Sequence, residues 1–439
     1  MQKYDIFLIV PNFCCIFAQQ TYDEMKKVLF LFCLVAFLCS CSTQEKHKVV
    51  VCIPVYGQSL ALGEEAELIT DFDSLSNMYD GRIVTENLDH KFGFFDNDKK
   101  KQWAKKMLNY TKRTFELSVY GMAESLVSQL GEDTLVCVFP GGQGGTAIMR
   151  LNKGNWCYKR FLEDISSAYQ ESIDRGWDFY VPAICWMQGE SDLFDYTDTD
   201  YKKALKQFAL DVNRDIKQIT HQQQDVRIIC YQTNLLTNAA YFQADSFKCR
   251  EIAVPEAMME LVRDDTLFWA SGPTYPYTFA RELKHIDGIS QKRLGHLAAV
   301  SALGIIRGYE RFQGLVPIAF VPNGNDVQIS LNVPHPPLVL DTLAVRNPGN
   351  YGFSVITPDN RNILQSVSLK DDVVVLHCSE SVTGCKVRYA VNGETLKSGW
   401  KKGPRGNLRD SQGDSLNVEI LGKSYPLHNW CYQFEQFVE

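Results

Sequence analysis

Acyl transfer needs a nucleophile, a base that takes its proton, and N–H donors aimed at the oxyanion that forms on the carbonyl. Three short stretches of this chain hold residues of the nucleophile and donor types. Gly57-Gln58-Ser59 ends an apolar, β-branched run over residues 49–56 and puts a hydroxyl on a turn. Gly144-Gly145-Thr146 follows a second apolar run at 134–139, and Gln188-Gly189-Glu190-Ser191-Asp192 follows a third at 179–186. Ser59 supplies the hydroxyl and, with its own N–H, one donor. Gly144 and Gly145 have no side chain to block a tetrahedral intermediate and offer a second. The Gln188 side-chain amide is a third. Losing one such donor costs about 3 kcal/mol of transition-state stabilisation. Gln58, Thr146 and Glu190 flank these groups and are expected at the substrate, while Glu190, Ser191 and Asp192 can also hold the Gln188 loop by local hydrogen bonds.

For these stretches to meet, their strands must end on one edge of one sheet. Strand-like runs at 49–55, 134–139, 179–186, 226–232 and 266–270 alternate with helical patterns at 116–130, 158–174, 201–219, 254–263 and 290–307. Residues 60–65 could open a further helix directly after Ser59. Such alternation means βαβ units, an α/β fold with a parallel sheet and helices on both faces. Sites in such sheets form at the carboxyl ends of strands, where helix-start N–H groups favour negative charge. Residues 71–114 read as long polar loops, and with 234–252 they are expected to shape specificity. From about residue 315 the texture changes to short runs (327–331, 338–340, 373–376, 386–391) separated by Asn-Gly, Pro-Gly and Asp-Asn turns, which predicts an all-β sandwich or jelly roll. The expected organisation is a leader and tether at 1–46, a catalytic domain at 47–312 and a β-rich accessory domain at 315–439.

Taken in order, Gly57-Gln58-Ser59, Gly144-Gly145-Thr146 and Trp186-Met187-Gln188-Gly189-Glu190-Ser191-Asp192 resemble the blocks of the SGNH (GDSL-like) hydrolases. The nearest branch is the carbohydrate acetylesterases, which include sialate O-acetylesterases, and the resemblance covers residues 49–308. It implies a flavodoxin-like three-layer α/β/α fold, no metal, no cofactor, and removal of acyl groups, usually acetyl, from sugar hydroxyls. By that likeness Ser59 is the nucleophile, and Ser59, a glycine of Gly144-Gly145 and Gln188 form the oxyanion hole. The family's last block is Asp-x-x-His followed by a glycine. His285 precedes Gly295 by ten residues, and Ser290 and Leu294 fit the helix that follows, which places the base at His285. Where the family has Asp this chain has Glu282, and Asp287 is a second candidate for orienting the ring. The third position therefore falls to Glu282, Asp287, a backbone carbonyl or no group at all. The implied activity is a serine-dependent carbohydrate O-acetylesterase acting on sialic acid or a plant or host polysaccharide. An esterase for lipid or aryl esters keeps the same machinery, and a glycan-binding surface lipoprotein with a decayed site is the non-enzymatic reading.

Composition narrows the setting. Of 439 residues 45% are hydrophobic and 22% charged, enough for a sizeable core. A net charge of −7 leaves no broad basic field to neutralise phosphates, which argues against a nucleic-acid partner. Met25-Lys26-Lys27 precedes an apolar run at 28–38 of signal-peptide length, too short to span a bilayer comfortably. Leu38-Cys39-Ser40-Cys41 resembles a bacterial lipobox with Cys41 as the lipidated residue and Met25 as the start. The implied address is the cell envelope of a Gram-negative-type bacterium, at the periplasmic or outer-membrane surface, with a lipid anchor in the membrane. Of fourteen cysteines, the nine past residue 41 are scattered among apolar runs and read as small core residues. Cys378 and Cys385 are near enough in sequence for a hairpin disulfide. Without Cys-x-x-Cys or His-Glu-x-x-His, no metal site is expected. Residues 403–411, with Arg405, Arg409 and Asp410, could bind sugar hydroxyls or form a self-contained clamp. Trp430 could stack on a sugar or close the β region.

Overall fold

The strand that carries Ser59 runs in two pieces, because Pro54 has no N–H to give to the ladder. β1 (Val49–Cys52) and β2 (Val55–Gly57) are joined through Ile53-Pro54. The computed structural model describes residues 47–84, 115–193, 200–234, 250–394 and 396–438, and Lys48–Glu439 form one compact unit. Cys41 and its lipobox, residues 85–114 of the polar segment and residues 235–249 lie outside the described residues.

Along the sheet the order is β3 (Ile83–Val84), β4 and β5 (Thr134–Cys137, Pro140–Gly142), β1 and β2, β6 and β7 (Asp178–Tyr180, Ala183–Met187), β8 (Arg227–Gln232) and β9 (Phe268–Pro273). Every pairing is parallel. Ile53 N donates to the Cys137 carbonyl (2.9 Å), Val55 N to Phe139 (2.9 Å) and Cys185 N to Pro54 (2.9 Å), so the ladder continues across the prolines. Counting each interrupted strand once, the five main strands lie in the order 2-1-3-4-5, the flavodoxin-like arrangement, and chain direction across the sheet switches at the first. Ser59 leaves the sheet at that switch point.

Helices cover both faces. Side chains alternate along a strand, and Cys185 meets Met122 (S···S 3.6 Å) on one face while the next residue, Trp186, packs on Phe208 (centroids 4.6 Å) on the other. Met122 belongs to α2 (Ser118–Val127), which lies against α6 (Gly288–Arg307); Phe208 belongs to α4 (Tyr201–Thr220), flanked by α3 (Trp156–Asp174) and α5 (Arg250–Asp264). Asp200 caps α4 by accepting from Lys203 N, and Asp287 caps α6 by accepting from Ser290 N. The polar segment read as loop holds a seven-residue helix, α1 (Phe72–Met78), capped by Asp71, and the edge strand β3. Both are too short to leave a periodic signal. Residues 60–65 form consecutive turns rather than a helix, because Gly63 and Glu65 take left-handed φ values of 68° and 65°.

Beyond α6 the chain is antiparallel. β10 (Val316–Asn323), β11 (Asp326–Asn332), β15 (Val373–Cys378) and β14 (Leu364–Lys370) form one sheet, and β13 (Phe353–Ile356), β16 (Lys386–Tyr389) and β20 (Phe434–Phe437) another. Short pairs β12 (Val339–Leu340) with β17 (Leu408–Arg409) and β18 (Asn417–Ile420) with β19 (Lys423–Pro426) complete it. Phe320 meets Phe434 edge to face between the two larger sheets (5.5 Å). Cys378 ends a strand of the first sheet while Cys385 precedes one of the second, and both are buried free thiols, not a disulfide. The arginine motif is a clamp: Arg409 pairs with Asp341 (2.7 Å), and Arg405 donates to the Arg346 and Gly403 carbonyls (2.7 and 2.8 Å). Trp430 is buried in the core.

The β region shares buried polar contacts with the parallel sheet. The Gln232 side chain accepts from Gln433 N (2.7 Å) and donates to the Gln433 carbonyl (2.9 Å), and Gly272 N donates to the Tyr432 hydroxyl (3.0 Å). α2 and α6 approach backbone to backbone: a Cβ on Gly295 would lie 1.7 Å from the Ser118 carbonyl oxygen. Gly295→Ala must therefore push the helices apart, at a cost of about 1–3 kcal/mol. A urea melt of this variant is expected to show a lower midpoint; an unchanged midpoint would show that the helix contact tolerates a methyl.

Candidate active site

Ser59 sits one residue past the last ladder bond of its strand, where Gln58 N donates to the Met187 carbonyl (3.0 Å). The turn closes on itself through Leu62 N to the Gln58 carbonyl (3.2 Å) and Glu64 N to the Ser59 carbonyl (2.9 Å). Ser59 is 4% exposed. His285 comes from the segment between β9 and α6. A bridge between Phe279 and Ile286 closes a small loop there, with Ala280 N on the His285 carbonyl (2.7 Å) and Asp287 N on the Thr278 carbonyl (3.1 Å).

The two residues meet. His285 Nε2 is 2.8 Å from Ser59 Oγ, and His285 Nδ1 is 2.9 Å from Glu65 Oε2. A carboxylate only accepts, so Nδ1 carries the ring proton and Nε2 is left to accept from the serine hydroxyl. The hydrogen bond from His285, with the nearby charges of the ring, Arg281 and Lys284, holds the Glu65 carboxyl below the ordinary range against the opposing effect of burial. Glu65 thus stays ionised to lower pH than a free glutamate.

Glu282 and Asp287, the acids expected beside the ring, are not there. Glu282 pairs with Lys402 (3.0 Å) and Lys397 (3.7 Å), and Asp287 accepts from Ser290 N (2.8 Å) as the α6 cap. The acid at the ring is Glu65, six residues after the serine. The sequence signal for it is the Glu64-Glu65 pair closing the serine's own turn, far in the chain from the histidine's neighbours Glu282 and Asp287.

The glycine loop is tied to the serine turn by Gln143 N on the Gly57 carbonyl (3.1 Å), and Gly145 takes a left-handed φ of 64°. The N–H groups of Ser59, Gly144 and Gly145 have no hydrogen-bond partner among the described residues. Gln188, expected as an oxyanion donor, is fully buried and turned inward. Its amide donates to the Thr146 carbonyl (3.2 Å) and to the Asp192 carboxylate, and its oxygen accepts from the Tyr201 hydroxyl (2.9 Å). Gln58 accepts from Ser191 N (3.1 Å), and the Thr146 hydroxyl donates to the Gly144 carbonyl (3.2 Å). Glu190 accepts from the Tyr231 and Thr233 hydroxyls (2.6 Å each), and burial raises its carboxyl above the ordinary range. Of the three residues expected at the substrate, Gln58 and Glu190 bond across to neighbouring strand ends and knit three of them together, and Thr146 closes its own glycine loop.

A family model described as "Carbohydrate esterase, sialic acid-specific acetylesterase" matches residues 55–275, which is 221 of the 439 positions and half the chain. The chain belongs to this family. It is a carboxylic ester hydrolase of the carbohydrate acetylesterase branch, and the matched span contains Ser59, Glu65, the glycine loop and Gln188, and stops short of His285. No curated protein matches by sequence. Among solved structures, a carbohydrate acetylesterase from Xanthomonas citri, XAC1771, is 14% identical, with 89% of this chain and 80% of that one covered and a TM-score of 0.55. That likeness bears out the fold. NanS is 15% identical, with 60% and 99% covered and a TM-score of 0.41, and a protein from Arabidopsis thaliana is 15% identical, with 59% and 98% covered and a TM-score of 0.39.

The inward Gln188 makes a prediction for this acetylesterase. Gln188→Leu takes the amide donor away from the Thr146 carbonyl and the Asp192 carboxylate, at about 1–3 kcal/mol for a buried group left unsatisfied, while the Tyr201 hydroxyl keeps the Gln188 backbone carbonyl (3.0 Å). Its thermal midpoint is expected to fall by several degrees; a wild-type midpoint would mean the amide is not the tie between these loops.

Proposed function

We propose that this esterase removes O-acetyl groups from carbohydrate through Ser59, His285 and Glu65. The observation that carries the reading is the continuous hydrogen-bonded line from Ser59 Oγ through both ring nitrogens to the Glu65 carboxylate, at 2.8 and 2.9 Å. The serine oxygen attacks the acetyl carbonyl as its proton passes to Nε2, and Glu65 stabilises the imidazolium that forms. The tetrahedral oxyanion is received by the N–H groups of Ser59 and of the Gly144-Gly145 turn, with Gln188 holding that turn in place. The imidazolium then gives its proton to the departing sugar hydroxyl, leaving acetyl on Ser59. Water, deprotonated by the same nitrogen, releases acetate.

Arg281 and Lys284 lie exposed beside Glu65 and support a carboxylate-bearing sugar as substrate. O-acetylated sialic acid is such a sugar, and the family's description agrees with it. Residues 25–41 support an enzyme anchored by lipid at Cys41 in a bacterial envelope.

Acetate release from O-acetylated sialic acid and from 4-nitrophenyl acetate tests this. Ser59→Ala is expected to lose roughly 10⁴-fold or more in kcat; full activity in that variant would end the proposal, as would hydrolysis that rises with acyl chain length. Glu65→Gln is expected to lose about 10–10³-fold in kcat with KM little changed, less than the ~10⁴ for a buried triad acid because Glu65 is 36% exposed. The sign with pH follows from the lowered Glu65 value. Its contribution is fully present above the ordinary carboxylate range and disappears only as pH falls through the depressed one, so the ratio of wild-type to Glu65→Gln kcat should narrow toward acid. A ratio that widens toward acid would contradict the assignment.

A further inference from the structure

We propose that residues 397–402 of the C-terminal β region form a strap that positions His285, with Lys402 and Gly399 acting through the loop that carries the ring. This rests on the reading of His285 as the base and adds to it a role for a region more than a hundred residues downstream. Arg281 and Glu282, just before the histidine, take consecutive left-handed φ values of 55° and 54°. Neither is glycine, and such residues hold this conformation only where their surroundings over-determine it.

The surroundings here are the strap. Ser398 N donates to the Glu282 carbonyl (2.9 Å), and Trp400 N donates to the Tyr277 carbonyl (3.3 Å). The Glu282 carboxylate is 3.0 Å from Lys402 Nζ. Gly399, at φ 85°, lies so close that a Cβ would stand 2.7 Å from the Tyr277 carbonyl oxygen and 3.1 Å from the Phe279 ring. The strap thus grips the segment leading into His285 at two points, Tyr277 and Glu282. It is itself closed by Gly403 N on the Gly399 carbonyl (3.2 Å) and Glu394 N on the Lys402 carbonyl (2.8 Å), and tied to the β region by Arg346 N on the Trp400 carbonyl (3.1 Å). The loop's own bonds close its stem (Ala280 N to His285 and the Phe279–Ile286 bridge) and its Arg281-Glu282 turn (Glu282 N to the Phe279 carbonyl and Leu283 N to the Ala280 carbonyl, 3.1 Å each), Arg281 reaches Glu65 (3.5 Å), and the strap adds the bonds to the Glu282 carbonyl and carboxylate. Glu282, where the family's acid would stand, thus anchors the loop that carries the base.

The full chain is assayed with 4-nitrophenyl acetate, which is small and neutral, so that the basic rim and the sugar site stay out of the readout. Lys402→Ala and Gly399→Ala are each expected to lower kcat by about 3–30-fold with KM unchanged, less than the ~10² that a 1 Å misplacement can cost. Lys402→Arg is expected to restore most of the loss. The Glu282–Lys402 pair is half-buried and open enough to be screened by salt, so wild-type kcat should fall with added sodium chloride, and the Lys402→Ala value, with only the longer Lys397 contact (3.7 Å) left to Glu282 of these two, should fall less. Thermal melts establish that each variant is folded, and Lys402→Ala decides alone if Gly399→Ala is not. Folded strap variants with wild-type kcat and salt response would overturn the strap while His285→Ala remains inactive. An active His285→Ala would instead remove the mechanism on which the strap rests.

Discussion

One imidazole ring holds this site together. His285 is gripped on one nitrogen by Glu65 and presents the other to Ser59, and both oxygens come from the same seven-residue stretch at the end of the first strand. A histidine without the acid would be free to turn or to carry its proton on the wrong nitrogen. The positive φ of Glu65 matters for the same reason: ending the turn in a left-handed residue stops a helix from carrying the carboxylate away from the sheet edge. Serine and acid are therefore fixed relative to each other by local backbone, and only the histidine has to be brought from far away.

That delivery depends on long-range structure. The switch point of the parallel sheet leaves a crevice above the Ser59 strand, and the flanking strand ends are tied over it by buried polar side chains rather than by packing alone. Gln58, Gln188, Glu190 and Asp192 bond to one another's loops or to Tyr201, Tyr231 and Thr233. Buried polar groups are costly unless satisfied, so this network rigidifies the site at the expense of tolerance to mutation. The same logic applies where Gln232 and Gln433 exchange hydrogen bonds 201 residues apart, binding the β region to the end of the sheet.

What could be read from the chain alone follows from how local each feature is. The β-branched runs ending in Gly-Gln-Ser, Gly-Gly-Thr and Met-Gln-Gly announced parallel strand ends, because a buried strand is written in consecutive residues. The base at His285 came from the resemblance, through Gly295, and the reason for that glycine is a helix contact with Ser118 that no single segment encodes. Glu65 was missed because its partner lies 220 residues away and its direction depends on one backbone dihedral. Gln188 was legible as a residue of the site but not in its orientation, which is set by Thr146, Asp192 and Tyr201 acting together. Glu282 had the right chemistry and spacing for the ring, and was drawn away by two lysines of the C-terminal strap.

The central claim is that Ser59 alone is the nucleophile, made reactive by a ring that Glu65 holds in place. Labelling of the full-length protein with a small alkyl fluorophosphonate, followed by peptide mass spectrometry, addresses it most directly. The account requires one adduct, on Ser59, formed in step with loss of esterase activity and greatly slowed when His285 is replaced. Inactivation with the adduct on another serine, or labelling of Ser59 that leaves hydrolysis untouched, would contradict it.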